Sequence, residues 1–166
     1  MTLSPRLRKL TLTTHVVTSV GWLGAVVAFL AVAVTALPGD SASDRGLYPA
    51  MKLITNGVIV PLAFAALVTG VVSALGTSWG LLRHYWVATK LIVIIVATGV
   101  LLLQLRPLAT ATEAATSTPA GDVGTETASL VLHSAGGLAI LLFTTVLGVY
   151  KPRGMTRYGL RKATRI

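Results

Sequence analysis

Cysteine is absent from this chain of 166 residues. Disulfide bridges, thiol redox chemistry and cysteine-ligated zinc or iron–sulfur sites are therefore excluded. Charge is scarce as well, because Asp, Glu, Lys and Arg make up only 11% of the residues, against about 25% in a soluble domain. Hydrophobic residues make up 54%, and the mean hydropathy is +0.78. This composition and length indicate a membrane protein of one domain.

Acidic residues are the scarcest charged group, five against fourteen Lys and Arg. The five lie in two segments between apolar runs: Asp40, Asp44, Glu113, Asp122 and Glu126. Because no acid falls within an apolar run, a carrier driven by an intramembrane carboxylate is disfavoured. A net charge of +9 would be compatible with a nucleic-acid partner, but the basic and acidic segments alternate along the chain. That alternation is typical of a membrane topology, so no nucleic-acid partner is predicted.

Four apolar runs dominate what the chain does contain. Each is about 20 residues long, enough to cross roughly 30 Å of hydrocarbon. The predicted spans are about 12–37, 50–75, 84–105 and 128–150. Their short connections favour an all-α membrane protein, an antiparallel up-down four-helix transmembrane bundle. The predicted organisation is a basic lead-in (1–14), the four-helix transmembrane domain (15–150) and a basic tail (151–166).

Lys and Arg predict the orientation. Ten of the fourteen lie in the lead-in, in the turn before the third run and in the tail. The positive-inside rule places these segments and both termini in the cytoplasm of a multi-pass protein of the cell membrane. The basic tail predicts contact with anionic lipid headgroups. In the turn, Trp79 and His84 are expected at the membrane interface.

The segments between the runs are interpreted as loops. Residues 38–49 form a short loop, and residues 107–127 form an exposed, poorly ordered one because they are small, polar and rich in Thr and Ala. Within the second run, Pro61 predicts a kink. Small residues recur every four positions from Gly57 to Ser73 and predict a surface on which another helix packs closely, including a second copy or a membrane partner.

Ionisable side chains within the spans are the first candidates for function, because lipid makes them costly. They are His15, Lys90 and His133. His15 and Lys90 enter from the cytoplasmic side, whereas His133 enters from the outer side. The rise of a helix separates the two histidines by roughly 20 Å in height, so one haem iron or one metal ion is not expected to bind both.

The inner candidates fall on two helical faces. His15 shares a face with Ser19 and Trp22, and Lys90 shares one with Trp86. If the first and third helices touch, the imidazole and the ammonium meet near the inner leaflet. There they could bind a carboxylate, a phosphate or a porphyrin. The alternative is that Lys90 reaches the cytoplasmic headgroups while His15 lies at the interface.

The outer candidate is His133, which is followed closely by Gly136 and Gly137. Glycines beside a histidine leave room for a flat ligand such as a haem ring. Asn56 and Gln104 lie at comparable heights on the second and third spans. The alternative is therefore structural, a hydrogen bond between His133 and Asn56.

Two segments carry a family resemblance: His15-Val-Val-Thr-Ser-Val-Gly-Trp22-Leu-Gly24 and Trp86-Val-Ala-Thr-Lys90-Leu. The His in the first span with the Lys in the third is similar to the HemJ-type protoporphyrinogen oxidases. The His…Trp-Leu-Gly stretch resembles the copper-resistance D-type membrane domain, and the chain also resembles four-span integral membrane proteins of unknown function. The HemJ-type resemblance implies binding of haem b or a porphyrin at His15 and Lys90. The Ala/Thr-rich outer segment departs from that family.

Two functional hypotheses follow. In the first, the bundle binds haem or a similar planar anionic ligand, for electron transfer or porphyrin oxidation. Its candidate residues are His15, Ser19, Trp22, Trp86, Lys90 and His133, with His15 or His133 as the iron ligand. In the second, the chain is a non-enzymatic membrane subunit, a scaffold or a small oligomeric pore. No catalytic residue is assigned, since the nucleophile elbow, the phosphate-binding glycine loop and the HExxH motif are all missing.

Overall fold

The computed structural model describes residues 3–39, 41–77, 80–117, 123–152 and 154–163. These residues form seven α-helices, one π-helical turn and no β-strand. The helices are α1 (Pro5–Thr35), α2 (Ser41–Ile54), α3 (Val60–Leu75), α4 (Tyr85–Leu103), α5 (Leu105–Thr116), α6 (Gly124–Tyr150) and α7 (Arg157–Ala163), and the π-helical turn is Thr55–Ile59. The prediction of an all-α fold is confirmed.

Four continuous helical segments are long and apolar enough to cross a membrane: Pro5–Thr35, Ser43–Leu75, Tyr85–Thr116 and Gly124–Tyr150. Their number and order agree with the four predicted spans, and their composition is that of a multi-pass membrane protein. α1 packs against α3 and α6, and α4 packs against the same two helices. α1 and α4 therefore face each other across the centre of the bundle.

α1 supplies much of the core. Its buried side chains are Thr18, Trp22, Ala25, Val26, Phe29 and Ala33, which recur every three or four residues. That spacing puts them on one face of the helix. At the start of the helix, the hydroxyl of Ser4 accepts a hydrogen bond from the backbone N–H of Leu7, and Pro5 occupies the first turn. Both features are typical of a helix N-terminus.

Pro61 is accommodated by a change in helical pitch. Because proline has no N–H, it cannot continue the α-helical hydrogen-bond ladder. The preceding turn, Thr55–Ile59, is π-helical, and the N–H of Val60 reaches back to the carbonyl of Thr55. Such single π-helical turns are rare within α-helices. A kink was predicted at Pro61, and the structure shows a π-helical turn directly before it.

Only the first half of the small-residue stripe from Gly57 to Ser73 is exposed. Gly57 and Pro61 face outward, and the space around Gly57 is open. Towards its end the stripe packs within the chain, because Thr69 hydrogen bonds to His15. The fully buried residues, Ile59, Ala63 and Ala66, lie on the adjacent face.

The two segments interpreted as loops are largely helical, and that interpretation was wrong. α2 begins at Ser41, and α5 continues almost directly from α4 to Thr116. Alanine has the highest helix propensity, and the buried residues of α5 recur at helical spacing: Leu108, Ala111, Thr112 and Ala115. This face packs against α2, whose Tyr48 and Met51 are completely buried. Burial of apolar surface thus orders a segment whose composition resembles that of a loop.

The opposite end of the bundle gathers both terminal segments. The N–H of Leu3 donates to the carbonyl of Gly76 over 3.3 Å, and the N–H of Thr156 donates to the carbonyl of Arg83 over 2.9 Å. Gly159 lies so close to Arg83 that a Cβ at this position would overlap its carbonyl oxygen. α7 is therefore docked on the turn before α4. The predicted interfacial residue Trp79 lies outside the described residues.

Candidate functional site

Four of the predicted site residues meet in one small pocket between the helices. His15, Ser19 and Trp22 reach it from α1, and Lys90 reaches it from α4. The pocket measures about 40 Å³. Trp86 is not among its lining residues, and His133 lines a separate cavity. The two histidines therefore do not share a site, in agreement with the predicted difference in height.

The ring of His15 is fixed by α3. Its Nδ1 lies 3.1 Å from the carbonyl oxygen of Ala66 and 3.2 Å from the hydroxyl of Thr69. Because a carbonyl oxygen only accepts, Nδ1 carries the hydrogen, and Nε2 is the ring nitrogen left for a ligand. Gly70 makes this approach possible, since a Cβ there would come within 2.9 Å of Cε1 of His15.

Lys90 lies against the end of α6. A Cβ on Gly148 would be 3.1 Å from the Nζ of Lys90, so this glycine provides space for the ammonium group. The helix ends two residues later at Tyr150, where the negative end of the helix dipole favours a cation. Within the described part of the chain, the pocket contains no carboxylate.

A much larger cavity adjoins this pocket. Its volume is about 390 Å³, within the range of about 300–1,000 Å³ that is usual for ligand sites. Side chains of α1, α4 and α6 form most of its wall, and Trp22 and Leu141 line both spaces. Two of its lining residues, Val96 and Leu132, are 58% and 71% exposed. Since both belong to apolar, membrane-crossing helices, the cavity opens towards the lipid.

His133, Gly136 and Gly137 line this large cavity. The Nδ1 of His133 donates to the carbonyl of Ser129, one turn earlier in α6, over 2.7 Å. Its Nε2 is therefore left for a ligand. Among the described residues no hydrogen bond joins His133 to Asn56, so the alternative interhelical bond was wrong. A Cβ at Gly136 or Gly137 would meet nothing within 4 Å, and the flat ligand stays a prediction.

Gln104 is a cavity-lining residue that was not predicted as part of the site. It caps the C-terminus of α4, and its Nε2 is buried without a hydrogen-bond partner. An unpartnered buried amide costs roughly 1–3 kcal/mol, which a ligand carrying an acceptor atom would recover. The sequence carried one signal for this residue: a single amide side chain at the end of the third apolar run, at about the height of His133.

The donor set decides which ligands fit. Within the described residues, no group of three or more His, Asp or Glu residues could hold a bare metal ion. A single imidazole in a glycine-lined cavity suits the axial position of a haem ring, whereas the pocket around His15 and Lys90 is too small for a porphyrin. The large cavity lacks the cation that haem carboxylates would favour, because Lys90 lines the other space. Comparisons of the chain with protein-family models, curated proteins and solved structures find no match.

Proposed function

We propose that this chain is a four-helix membrane protein that binds a flat, largely apolar ligand taken from the bilayer. The observation that carries the proposal is the cavity of about 390 Å³ that opens towards lipid between α4 and α6. Its wall is almost entirely apolar, and among the described residues only Trp22, His133 and Gln104 offer polar groups that are not already used. The hydroxyls of Thr55 and Ser134 donate to carbonyls of their own helices.

Haem b, or a related porphyrin, is the first ligand of this kind to test. His133 would hold its iron through Nε2, because Nδ1 is occupied by Ser129. When bound, haem would supply one-electron chemistry, suited to electron transfer or porphyrin oxidation. A neutral ring with a carbonyl oxygen is the other chemical class that the wall suits, since Gln104 offers a buried donor and the cavity offers no cation.

We also propose an antiparallel up-down topology with both termini in the cytoplasm. His15, in the first half of α1, contacts Ala66 in the second half of the continuous helical segment Ser43–Leu75. Lys90, near the start of α4, approaches Gly148 near the end of α6. These two contacts each join the beginning of one helix to the end of another. The Lys and Arg that the structure describes in the lead-in, the turn and the tail lie at this same end, which supports its cytoplasmic location.

The test is an absorption spectrum of the detergent-purified protein, before and after addition of haem, combined with native mass spectrometry. Bound haem should give a Soret band that shifts or disappears in His133→Ala. Gly136→Leu, which fills the cavity, should remove any bound ligand, whereas Gly99→Leu is the matched control on an exposed face of α4 that does not line the cavity.

The outcomes separate the possible ligands. A Soret band that is unchanged in both His133→Ala and Gly136→Leu would overturn haem binding in this cavity. A co-purified apolar mass without a Soret band, lost only in Gly136→Leu, would support the cavity with a different ligand. Neither a Soret band nor a bound mass would overturn the proposal as a whole.

A membrane subunit, scaffold or oligomeric pore is the second candidate function. It is favoured by the outward-facing Gly57 and Pro61, which form a small-residue surface open to another helix. Crosslinking in membranes should then capture an oligomer or a partner, and Gly57→Leu should reduce the yield. A strict monomer with no captured partner would contradict this role.

A further inference from the structure

Lys90 places a cation in the bundle that no carboxylate of the same region can balance. The sequence has no acid within the predicted spans. The acids that the structure describes, Asp44, Glu113 and Glu126, belong to α2, α5 and the start of α6, at the other end of the bundle. Lys90 is partly buried, and an ammonium that loses part of its hydration without gaining a partner is costly. An anion from outside the chain would offset that cost.

The pocket around Lys90 offers hydrogen-bond donors that its surroundings leave unused. In the part of the chain that the structure describes, the Ser19 hydroxyl makes no hydrogen bond. By contrast, the neighbouring hydroxyls of Thr144 and Thr145 both donate to the carbonyl of Leu141. The ring of His15 lies beside these groups, but its Nδ1–H is already taken by the carbonyl of Ala66, so the donors left to the pocket are those of Ser19 and Lys90.

The size and position of the pocket select the class of ligand. A volume of about 40 Å³ holds roughly three water molecules, which leaves room for a monatomic anion and not for an organic ring. The pocket lies towards the end of the bundle where the described Lys and Arg of the lead-in, the turn and the tail are gathered. Such a concentration of positive charge raises the local concentration of anions.

We propose that Ser19 and Lys90, beside the ring of His15, form a binding site for one small monovalent anion of the halide class, which acts as the counter-ion of Lys90. The site is distinct from the large cavity and does not depend on its ligand. Trp22, which lines the pocket, provides a built-in reporter because a heavy halide quenches the fluorescence of an adjacent indole.

The experiment uses the full chain with Trp79→Phe and Trp86→Phe, which leaves Trp22 as its sole tryptophan. Bromide is titrated at constant ionic strength with sulfate as the balancing anion. Quenching should saturate, and Lys90→Met should weaken the apparent affinity by roughly tenfold or more, as expected for loss of a charge-assisted hydrogen bond. Ser19→Ala should weaken it less. Lys9→Met is the matched control, because it removes one exposed positive charge from the same end of the bundle.

Competition gives a second measurement that needs no change in the pocket. Chloride should shift the bromide curve to higher concentration, whereas the larger, doubly charged sulfate should not. Quenching that never saturates, or that is the same in Lys90→Met, would overturn the site. A bromide curve that chloride does not shift would overturn it as well, including the case in which Lys90→Met fails to fold.

Discussion

Tyr48 joins two helices at the end of the bundle where α2, α5 and the start of α6 meet. It is completely buried, and its hydroxyl donates to the carbonyl of Val123 over 3.3 Å and also hydrogen bonds to Thr127. One phenol thus connects α2 to the first turn of α6. Aromatic rings with a polar end commonly fill such positions, because the ring packs while the hydroxyl finds a partner.

Tyr48→Phe should reduce the free energy of unfolding by about 0.5–1.5 kcal/mol, the usual contribution of one hydrogen bond. Tyr48→Ala should cost about 3–5 kcal/mol, because it also leaves a cavity. The measurement is reversible unfolding in a mild detergent. Tyr150→Phe is the control, since that ring is 80% exposed and its change should lie within about 0.5 kcal/mol of zero. Equal effects at both tyrosines would contradict the role of Tyr48.

Position 70 requires glycine because the imidazole of His15 fills the space that a Cβ would occupy. Gly70→Ala should push the ring away from the carbonyl of Ala66 and weaken their hydrogen bond. We expect a net loss of about 1–2 kcal/mol relative to Gly99→Ala, which gains the same helix propensity in open space. Thermal unfolding of the two variants measures the difference. A Gly70→Ala protein as stable as Gly99→Ala would show that His15 is not held there.

The helical structure of α5 depends on packing against α2 and not on a long apolar sequence of its own. Its buried face combines Leu108 with the small side chains of Ala111, Thr112 and Ala115, and it packs on α2 outside the four central helices. An isolated helix of 12 residues is marginal in water. Contact with α2 therefore supplies the stability that the segment lacks alone.

Hydrogen exchange measures the order of α5 directly. The amides of 105–116 should be protected in the unmodified protein, whereas a disordered loop would exchange at once. Ala111→Asp should abolish this protection, because burying the carboxyl group costs about 2–3 kcal/mol. Thr110→Asp is the control on the exposed face of the same helix and should leave protection nearly unchanged. Loss of protection in both variants would mean that the burial of Ala111 does not order the helix.

The orientation of the whole molecule can be tested with little background, because the chain has no cysteine. In intact cells, Ser117→Cys at the end of α5 should react with a membrane-impermeant maleimide. Pro152→Cys, which follows α6, should react only after the membrane is permeabilised. The expectation rests on the positive-inside rule. The reverse pattern would invert the topology, and labelling of both positions from outside would mean that α6 does not cross the membrane.

Much of the architecture could be predicted from length, composition and periodicity. Four apolar runs predicted four long helices, and the helical repeat predicted that His15, Ser19 and Trp22 share a face. Whether this face meets Lys90 in a pocket depends on how α1 and α4 are arranged in the bundle. The sequence of one helix does not determine that arrangement. α2 and α5 were predicted as loops because each helix is stabilised by packing against the other, through buried residues such as Tyr48 and Ala111. Their composition alone is that of a loop.

The large cavity exists because of the spacing between helices and because glycines leave volume unfilled. From the sequence, only the histidine near two glycines could be predicted as part of it. Its sideways opening, at Val96 and Leu132, has a thermodynamic consequence. In a bilayer an acyl chain is always at the entrance and at very high local abundance, so any true ligand must displace it. Apparent affinity is then an exchange constant, which will change with chain length, unsaturation and the choice of detergent tail.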